Sequence, residues 1–460
     1  MVPTAINRVV VRRLFGTYNY DLCPSDKSES PDRLLILYGD NGSGKTTILK
    51  MLFHLLAPEL GEGHKTRLEG IPFSSIDVHF TSGDHVWARR RKGKLAGGFK
   101  IGYRNAASKQ YAAQLVPNER GVIKGGGPTN QFLTRLGELG VCLYFLSDDR
   151  AVRTAGLTGQ ASMLRSDEEA IVIEHVGPRI ISHTRRSEPE ARAQGLLVQS
   201  LRAAGQWIQS QAVRSASQGE SSVNLLYGEI LRRIAHLPLT LATDKSIAVK
   251  QLGERLAKLE ARSRGFSRYG LQPEFTGKDI LEIVRRAPPS HETVIATVLT
   301  PYLESVEKKL DAMERLQKQV DAVVRLVNTF YTRKQLTYEI HEGFRVATGD
   351  GRPLQPEMLS SGERHLLLLF CNTVQTLDRP SIFIIDEPEI SLNIKWQRRL
   401  LSALLECAVD NPLQYIFATH SFELLAHYGN NAIRLTEELE KDGGPETHTR
   451  RTKLHVHAGA

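Results

Sequence analysis

The apolar positions of this chain follow two different periods, and the change between them divides the sequence. Leu34 to Tyr38, Val141 to Leu146, Ser381 to Ile385 and Leu413 to Thr419 are short, nearly unbroken apolar runs, as strands covered on both faces require. Ile76 to Phe80, His85 to Ala88 and Phe99 to Tyr103 instead alternate, and Ser82-Gly83-Asp84 and Gly93 to Gly98 separate them. That predicts an antiparallel meander. Asn7 to Leu14 predicts an edge-forming strand, and Phe132 to Leu136 a helix that leads through Gly140 into the Val141 strand.

Between residues 156 and 331 the spacing becomes helical and no strand-like alternation stands out. Glu190 to Gln211 and Val223 to Ala235 carry such spacing. Leu303, Val306, Leu310, Met313, Leu316, Val320, Val323 and Val327 repeat at three and four with charges between them, which predicts a short coiled-coil-like arm. Val249, Leu252, Leu256 and Leu259 are expected to supply an antiparallel partner. The alternative is an ordinary helical subdomain without an arm. The expected organisation is an N-terminal half-head (1–155), a helical insertion (156–334), a C-terminal half-head (335–440) and a basic tail (441–460).

The chemistry is concentrated at the ends of the apolar runs. Gly39-Asp40-Asn41-Gly42-Ser43-Gly44-Lys45-Thr46 follows the Leu34 strand and precedes the helical spacing of Thr47 to Phe53, the context a phosphate loop needs. Gly39, Asn41, Gly42, Gly44, Lys45, Thr46 and Thr47 are the candidate nucleotide contacts. Backbone N–H groups would curl around phosphate, Lys45 would reach the terminal phosphates, and the Thr46 hydroxyl would ligate Mg²⁺. The Ser381 strand ends in Asp386-Glu387-Pro388-Glu389. Asp386 is placed to hold Mg²⁺ and Glu387 to orient or deprotonate the attacking water. The Leu413 strand ends at His420, which could sense the γ-phosphate. Asp148, Asp149 and Arg150 follow the Val141 strand, as metal-water or phosphate contacts or as a cap and surface charge. Phe15 or Tyr18 could stack on adenine or belong to the core.

The chain has 460 residues and is 41% hydrophobic and 24% charged, which suits a soluble protein of two or three parts. Its formal charge of +9 favours an acidic partner. Arg89, Arg90, Arg91, Lys92 and Lys94, with Lys100 and Arg104 beyond, are the densest basic stretch, flanked by Trp87 and Tyr103. They read either as a surface for phosphate backbones or an acidic protein, or as a solvated hairpin. Cys23, Cys142, Cys371 and Cys407 are scattered, and no apolar run approaches a membrane span. The expectation is a reduced, cytoplasmic protein without a membrane. His448, His455 and His457 near the end could suggest a metal but read better as a disordered tail.

Phosphate loop, Leu359-Ser360-Ser361-Gly362-Glu363, Asp386-Glu387-Pro388, Ser391-Leu392-Asn393 and Ala418-Thr419-His420 occur in the order found in the ATP-binding-cassette ATPases, which this chain resembles. The resemblance implies an α/β P-loop head, ATP and Mg²⁺, and hydrolysis to ADP and phosphate. It also implies a homodimer or higher homo-oligomer in which Ser360 and Gly362 complete the site around Lys45 of a second copy. The long interval between Thr46 and Leu359 is similar to the SMC, RecF and OLD-like branch. Phe330 to Glu363 resembles the ATPase subunits of prokaryotic anti-phage systems such as PARIS and Septu, which implies a sensor role beside a separate nuclease effector, since the chain after His420 is not expected to carry a fused one. DNA or an acidic DNA-mimicking phage protein is the expected partner of the basic surface. The competing readings are a RecF-like repair ATPase on duplex DNA and an ATP-stabilised scaffold with negligible hydrolysis. One departure is the missing glutamine after the Val141 strand, where Ser147 to Asp149 stand instead.

Overall fold

The computed structural model describes residues 4–24, 33–59, 62–119, 121–123, 125–150, 152–156, 172–176, 179–183, 195–216, 245–286, 292–377, 379–409 and 411–435. The tail and Val223 to Ala235 lie outside them. The chain forms two compact units, one from Met1–Ser200 with Leu359–Ala460 and the other from Leu201–Met358.

In the first unit an antiparallel sheet is built from β1 (Ile6–Leu14), β2 (Tyr18–Leu22), β4 (Ser75–Phe80), β5 (His85–Arg89), β6 (Phe99–Arg104) and β7 (Gln110–Leu115), in the order β2-β1-β4-β5-β6-β7. The expected meander is its middle. A second sheet contains β3 (Leu34–Tyr38), β8 (Cys142–Leu146), β9 (Val152–Ala155), β15 (Ser381–Asp386), β16 (Leu413–Thr419) and β17 (Ala432–Arg434), in the order β17-β3-β16-β15-β8-β9. All its pairings are parallel except β8 with β9. Every residue of β3, β8, β15 and β16 is buried, which explains their unbroken apolar composition.

Helix α1 (Lys45–Leu56) shares one buried core with both sheets, to which it gives Ile48, Leu52 and Phe53, the antiparallel sheet Val78 and Leu14, and the parallel sheet Leu37 and Ile384. The amide of the fully buried Gln414 on β16 closes both hydrogen bonds with the backbone of Ile6 on β1, each at 2.8 Å. Lys65, on the short helix α2 (His64–Glu69), ends α1 by donating to the carbonyls of His54, Leu55 and Ala57. Helix α3 (Gly127–Gly137) precedes β8, and a hairpin of β10 (Val172–Val176) and β11 (Arg179–His183) lies where no strand was expected.

Helix α4 (195–216) leads into the second unit, which continues with α5 (Lys245–Ser267), α6 (Lys278–Arg286), α7 (Glu292–Phe330) and an antiparallel sheet of β12 (Lys334–Glu339), β13 (Gly343–Thr348) and β14 (Pro353–Leu354). Those strands, assigned by sequence to the second half of the head, belong to this unit. Leu303, Leu310, Met313, Leu316, Val320, Val323 and Val327 are buried on α7, as are Leu256 and Leu259 on α5. The pairing direction corrects the antiparallel expectation. Arg255 meets Glu307, Arg262 meets Glu314 and Tyr269 meets Asp321, every pair 52 residues apart. A constant offset means that the two segments run in the same direction. Apolar spacing fixes which faces meet but carries no information on relative direction.

The first unit resumes with α8 (Ser361–Val374), α9 (Ile394–Cys407) and α10 (Phe422–Leu425). No helix among the described residues is long and apolar enough to cross a membrane.

Candidate nucleotide site

Register brings the site together. Tyr38 at the end of β3 pairs with Thr419 of β16, and Ala418 pairs with Asp386 of β15, so loop, histidine and acids emerge at one edge of the parallel sheet. In such sheets that edge is where ligands bind.

Between β3 and α1 the chain turns through Gly42 and Gly44, with φ of +86° and +85°. Those conformations suit glycine, and a Cβ on Gly44 would come within 3.0 Å of Leu14. Tyr20 fixes the turn by donating its hydroxyl proton to the Ser43 carbonyl. Asn41 and Gly42 are exposed, and Thr46 and Thr47 sit half-buried in the first turn of α1. Lys45 is buried, and its Nζ donates to the carbonyls of Gly39 at 2.7 Å and Asp40 at 2.9 Å. The ammonium thus lies across the loop, where it would neutralise an entering phosphate. Phe15 is 46% exposed beside Gly44, which removes it from the core.

Asp386 is 1% exposed, and apart from the Thr46 hydroxyl, which lies close but outside good hydrogen-bond geometry, neither carboxylate oxygen meets a donor. Burial raises its pKa to about 6; the nearby Thr46 hydroxyl and Lys50 oppose this, while Asp148 and Glu387 add to it. Two orphaned oxygens next to a threonine hydroxyl fit a hard divalent cation. Among the described residues no group of three or more His, Cys, Asp or Glu could hold a metal alone, so phosphate and water would complete the shell around Mg²⁺.

Glu387 takes a φ of +48°, held by its N–H donating to the Ala418 carbonyl at 2.8 Å. A non-glycine residue there carries backbone strain, a feature that clusters at functional positions. His420 Nδ1 is 3.4 Å from Glu387 Oε1 and 3.6 Å from Glu389 Oε1. Glu389 was missed by the sequence reading. It is 5% exposed and accepts from the Thr419 hydroxyl at 2.5 Å and the His420 N–H at 3.2 Å, so it fixes the turn that presents His420. Its burial raises its own pKa. The signal was the third acid of Asp-Glu-Pro-Glu facing an Ala-Thr-His strand end.

Ser360 caps α8: its Oγ accepts from the Glu363 N–H, and the Glu363 carboxylate accepts from the Ser360 N–H at 2.7 Å. Ser360 and Ser361 are exposed, and no described hydrogen bond joins them to the phosphate loop of the same chain. A Cβ on Gly362 would lie 2.5 Å from the Ser391 carbonyl, so the signature rests on the Ser-Leu-Asn turn. Arg150 secures that turn from the end of β8, donating to Ser391 Oγ at 2.7 Å.

The basic stretch needs one correction. Arg90 is 7% exposed, stacks over Phe73 at 4.7 Å and donates to the carbonyls of Glu69, Ile71 and Gly97. It organises the hairpin from inside. Arg89 pairs with Asp77 and stacks on Trp87 but stays exposed, as do Arg91, Lys92 and Lys94.

Residues 256–426 match the family described as AAA domain, putative AbiEii toxin, Type IV TA system. A segment of 166 residues is 22% identical to the peptidoglycan transport ATP-binding protein YejF of Agrobacterium fabrum, covering 35% of this chain and 29% of that protein. The chain therefore spans less than a third of that relative's length. Among solved structures, the Smc head domain of Pyrococcus furiosus bound to the C-terminal domain of ScpA is similar at 12% identity and a TM-score of 0.37, covering 94% of both chains. The SMC head domain of Thermotoga maritima has 12% identity and a TM-score of 0.33, covering 92% of this chain and 91% of that one. Likeness at that level adds nothing to the loop and the acid-tipped strand described above: residues 256–426 are similar to that AAA-domain family, and the loop, Asp386 and His420 together have the form of a P-loop nucleotide site.

Proposed function

We propose that this chain binds Mg²⁺ and ATP at the Gly39–Thr47 loop, hydrolyses ATP with Glu387 as the water-orienting base, and works as a symmetric dimer. The observation that carries the reading is the juxtaposition of the unpartnered Asp386 carboxylate with the Glu387–His420 pair at the mouth of the loop. Thr46 and Asp386 would hold the metal, which supplies charge neutralisation at the phosphates. The exposed Ser360 and the close-packed Gly362 would complete the site of a second copy, because a capped helix start presents backbone N–H groups to an anion. The two heads would close on ATP and reopen on hydrolysis.

The biological role we propose is that of sensor and regulatory ATPase in a prokaryotic anti-phage complex that controls a separate nuclease effector. The matching family's description, which names a toxin and a toxin–antitoxin system, supports this setting. A second reading, a RecF-like ATPase acting on duplex DNA, is favoured by the exposed Arg91, Lys92 and Lys94. Steady-state hydrolysis by the purified chain and by Glu387→Gln, with and without duplex DNA, tests both. Turnover lost in the variant supports the hydrolytic site, and strong stimulation by DNA favours the second reading. ATP binding without turnover in either protein would overturn the hydrolytic proposal in favour of a nucleotide-stabilised scaffold.

A further inference from the structure

The second unit holds a cleft of about 460 Å³ where the turn after α5, the last turns of α7 and strand β12 meet. Arg268, Arg333 and Lys334 line it, and no Asp or Glu does. This is unusual within the unit. Arg255, Arg262, Arg264, Arg345 and Arg352 are each matched to a carboxylate. Among the described residues neither Arg268 nor Arg333 forms an ion pair; Arg268 only stacks on the Tyr269 ring, at 5.6 Å.

Two further features bear on what the cleft takes. Tyr338 lines it and is 3% exposed, yet its hydroxyl has no hydrogen-bond partner. Burial raises the pKa of that hydroxyl, so it stays a proton donor. The walls are also fixed in advance. The Asn328 side chain exchanges both hydrogen bonds with the Leu336 backbone, tying α7 to β12, and the Tyr269 hydroxyl is anchored on Asp321.

The cleft thus holds Arg268 and Arg333 without an ion pair among the described residues and without a carboxylate in its lining, while Lys334 donates to the Met358 carbonyl. Guanidinium forks suit the oxygens of phosphate, and like charges held together repel until an anion enters. The volume falls within the roughly 300–1,000 Å³ of small-molecule sites. We propose that this cleft is a second phosphate-binding site, separate from the ATP loop, which takes a ligand bearing a terminal phosphate, either a mononucleotide or the end of a nucleic-acid strand.

The test uses the full chain carrying Lys45→Ala, so that the ATP loop does not contribute. Binding would be followed by calorimetry with three probes: inorganic pyrophosphate, AMP, and a short single strand with or without a 5′-phosphate. Pyrophosphate should bind, and Arg268→Glu combined with Arg333→Glu should weaken it at least about tenfold. If that pair compromises folding, Arg268→Gln alone should weaken binding several-fold. AMP binding as well as the phosphorylated strand identifies a mononucleotide site. A preference for the strand that vanishes with its 5′-phosphate identifies a strand end. Absence of pyrophosphate binding at millimolar concentration, or binding indifferent to the arginine substitutions in folded protein, would overturn the proposal.

Discussion

His420 stands beside Glu387, its Nδ1 3.4 Å from the carboxylate, and the buried Glu389 holds the histidine's own backbone N–H. The acid that would activate water is therefore positioned by a neighbour whose turn is itself pinned from below. Glu387→Gln should lower ATP turnover by roughly 10²–10⁴-fold, the usual contribution of general-base catalysis, while ATP binding survives. A titration of labelled nucleotide alongside the turnover assay separates the two. Glu389→Gln, which keeps the acceptor for Thr419, should cost much less than Glu389→Ala.

Asp386 links the site to pH. Its folded pKa of about 6 lies above the unfolded value of 3.8, so the folded state binds the proton more tightly. This favourable proton linkage is complete below pH 3.8 and is lost as pH rises toward about 6, leaving a strained carboxylate at neutrality. Asp386→Asn should accordingly stabilise the nucleotide-free protein at pH 7 by on the order of 2 kcal/mol, with the difference shrinking toward pH 4. Denaturant titrations at several pH values would show it. Nucleotide affinity in the presence of Mg²⁺ should fall as pH drops through about 6, because protonated Asp386 no longer attracts the metal.

Arg90 and its neighbours should separate cleanly. Arg90→Ala removes a buried guanidinium that satisfies the carbonyls of Glu69, Ile71 and Gly97, and should cost roughly 2–5 kcal/mol of stability. Reversing Arg91, Lys92 and Lys94 should leave stability within about 0.5 kcal/mol but weaken anionic ligands in a salt-dependent way.

The paired helices offer a test of direction. Arg255→Glu sets like charge against Glu307 and should destabilise by up to about 1 kcal/mol, since the pair is only partly buried. Adding Glu307→Arg should restore the loss. An antiparallel arrangement would place those residues apart, and the double variant would show no recovery.

Much of the site was legible because its signals are local. A phosphate loop between a buried strand and a helix, or an acid at the tip of an apolar run, is visible in a few consecutive residues. The β3–β16–β15 register then brought Lys45, Asp386 and His420 to one edge, which sequence order alone does not reveal. Non-local facts escaped. Nothing in Arg89 to Lys94 distinguishes Arg90 from its exposed neighbours, because its partners are backbone carbonyls up to 21 positions away. Gln414 was given no role within its apolar strand, whereas its amide joins the two sheets. The hairpin Val172–Val176 and Arg179–His183 was hidden within a region read entirely as helical.

The common direction of α5 and α7 restricts how this molecule can change in length. A hairpin of antiparallel helices can be extended at its tip by any single insertion that keeps the apolar seam. Here the offset, 52 residues at every pair, must stay constant along the whole pair. Adding a heptad to one helix demands a matching heptad in the other and a longer return strap through α6. Relatives that drift in length should do so by coordinated insertions at three separate places, and single indels should be confined to the strap.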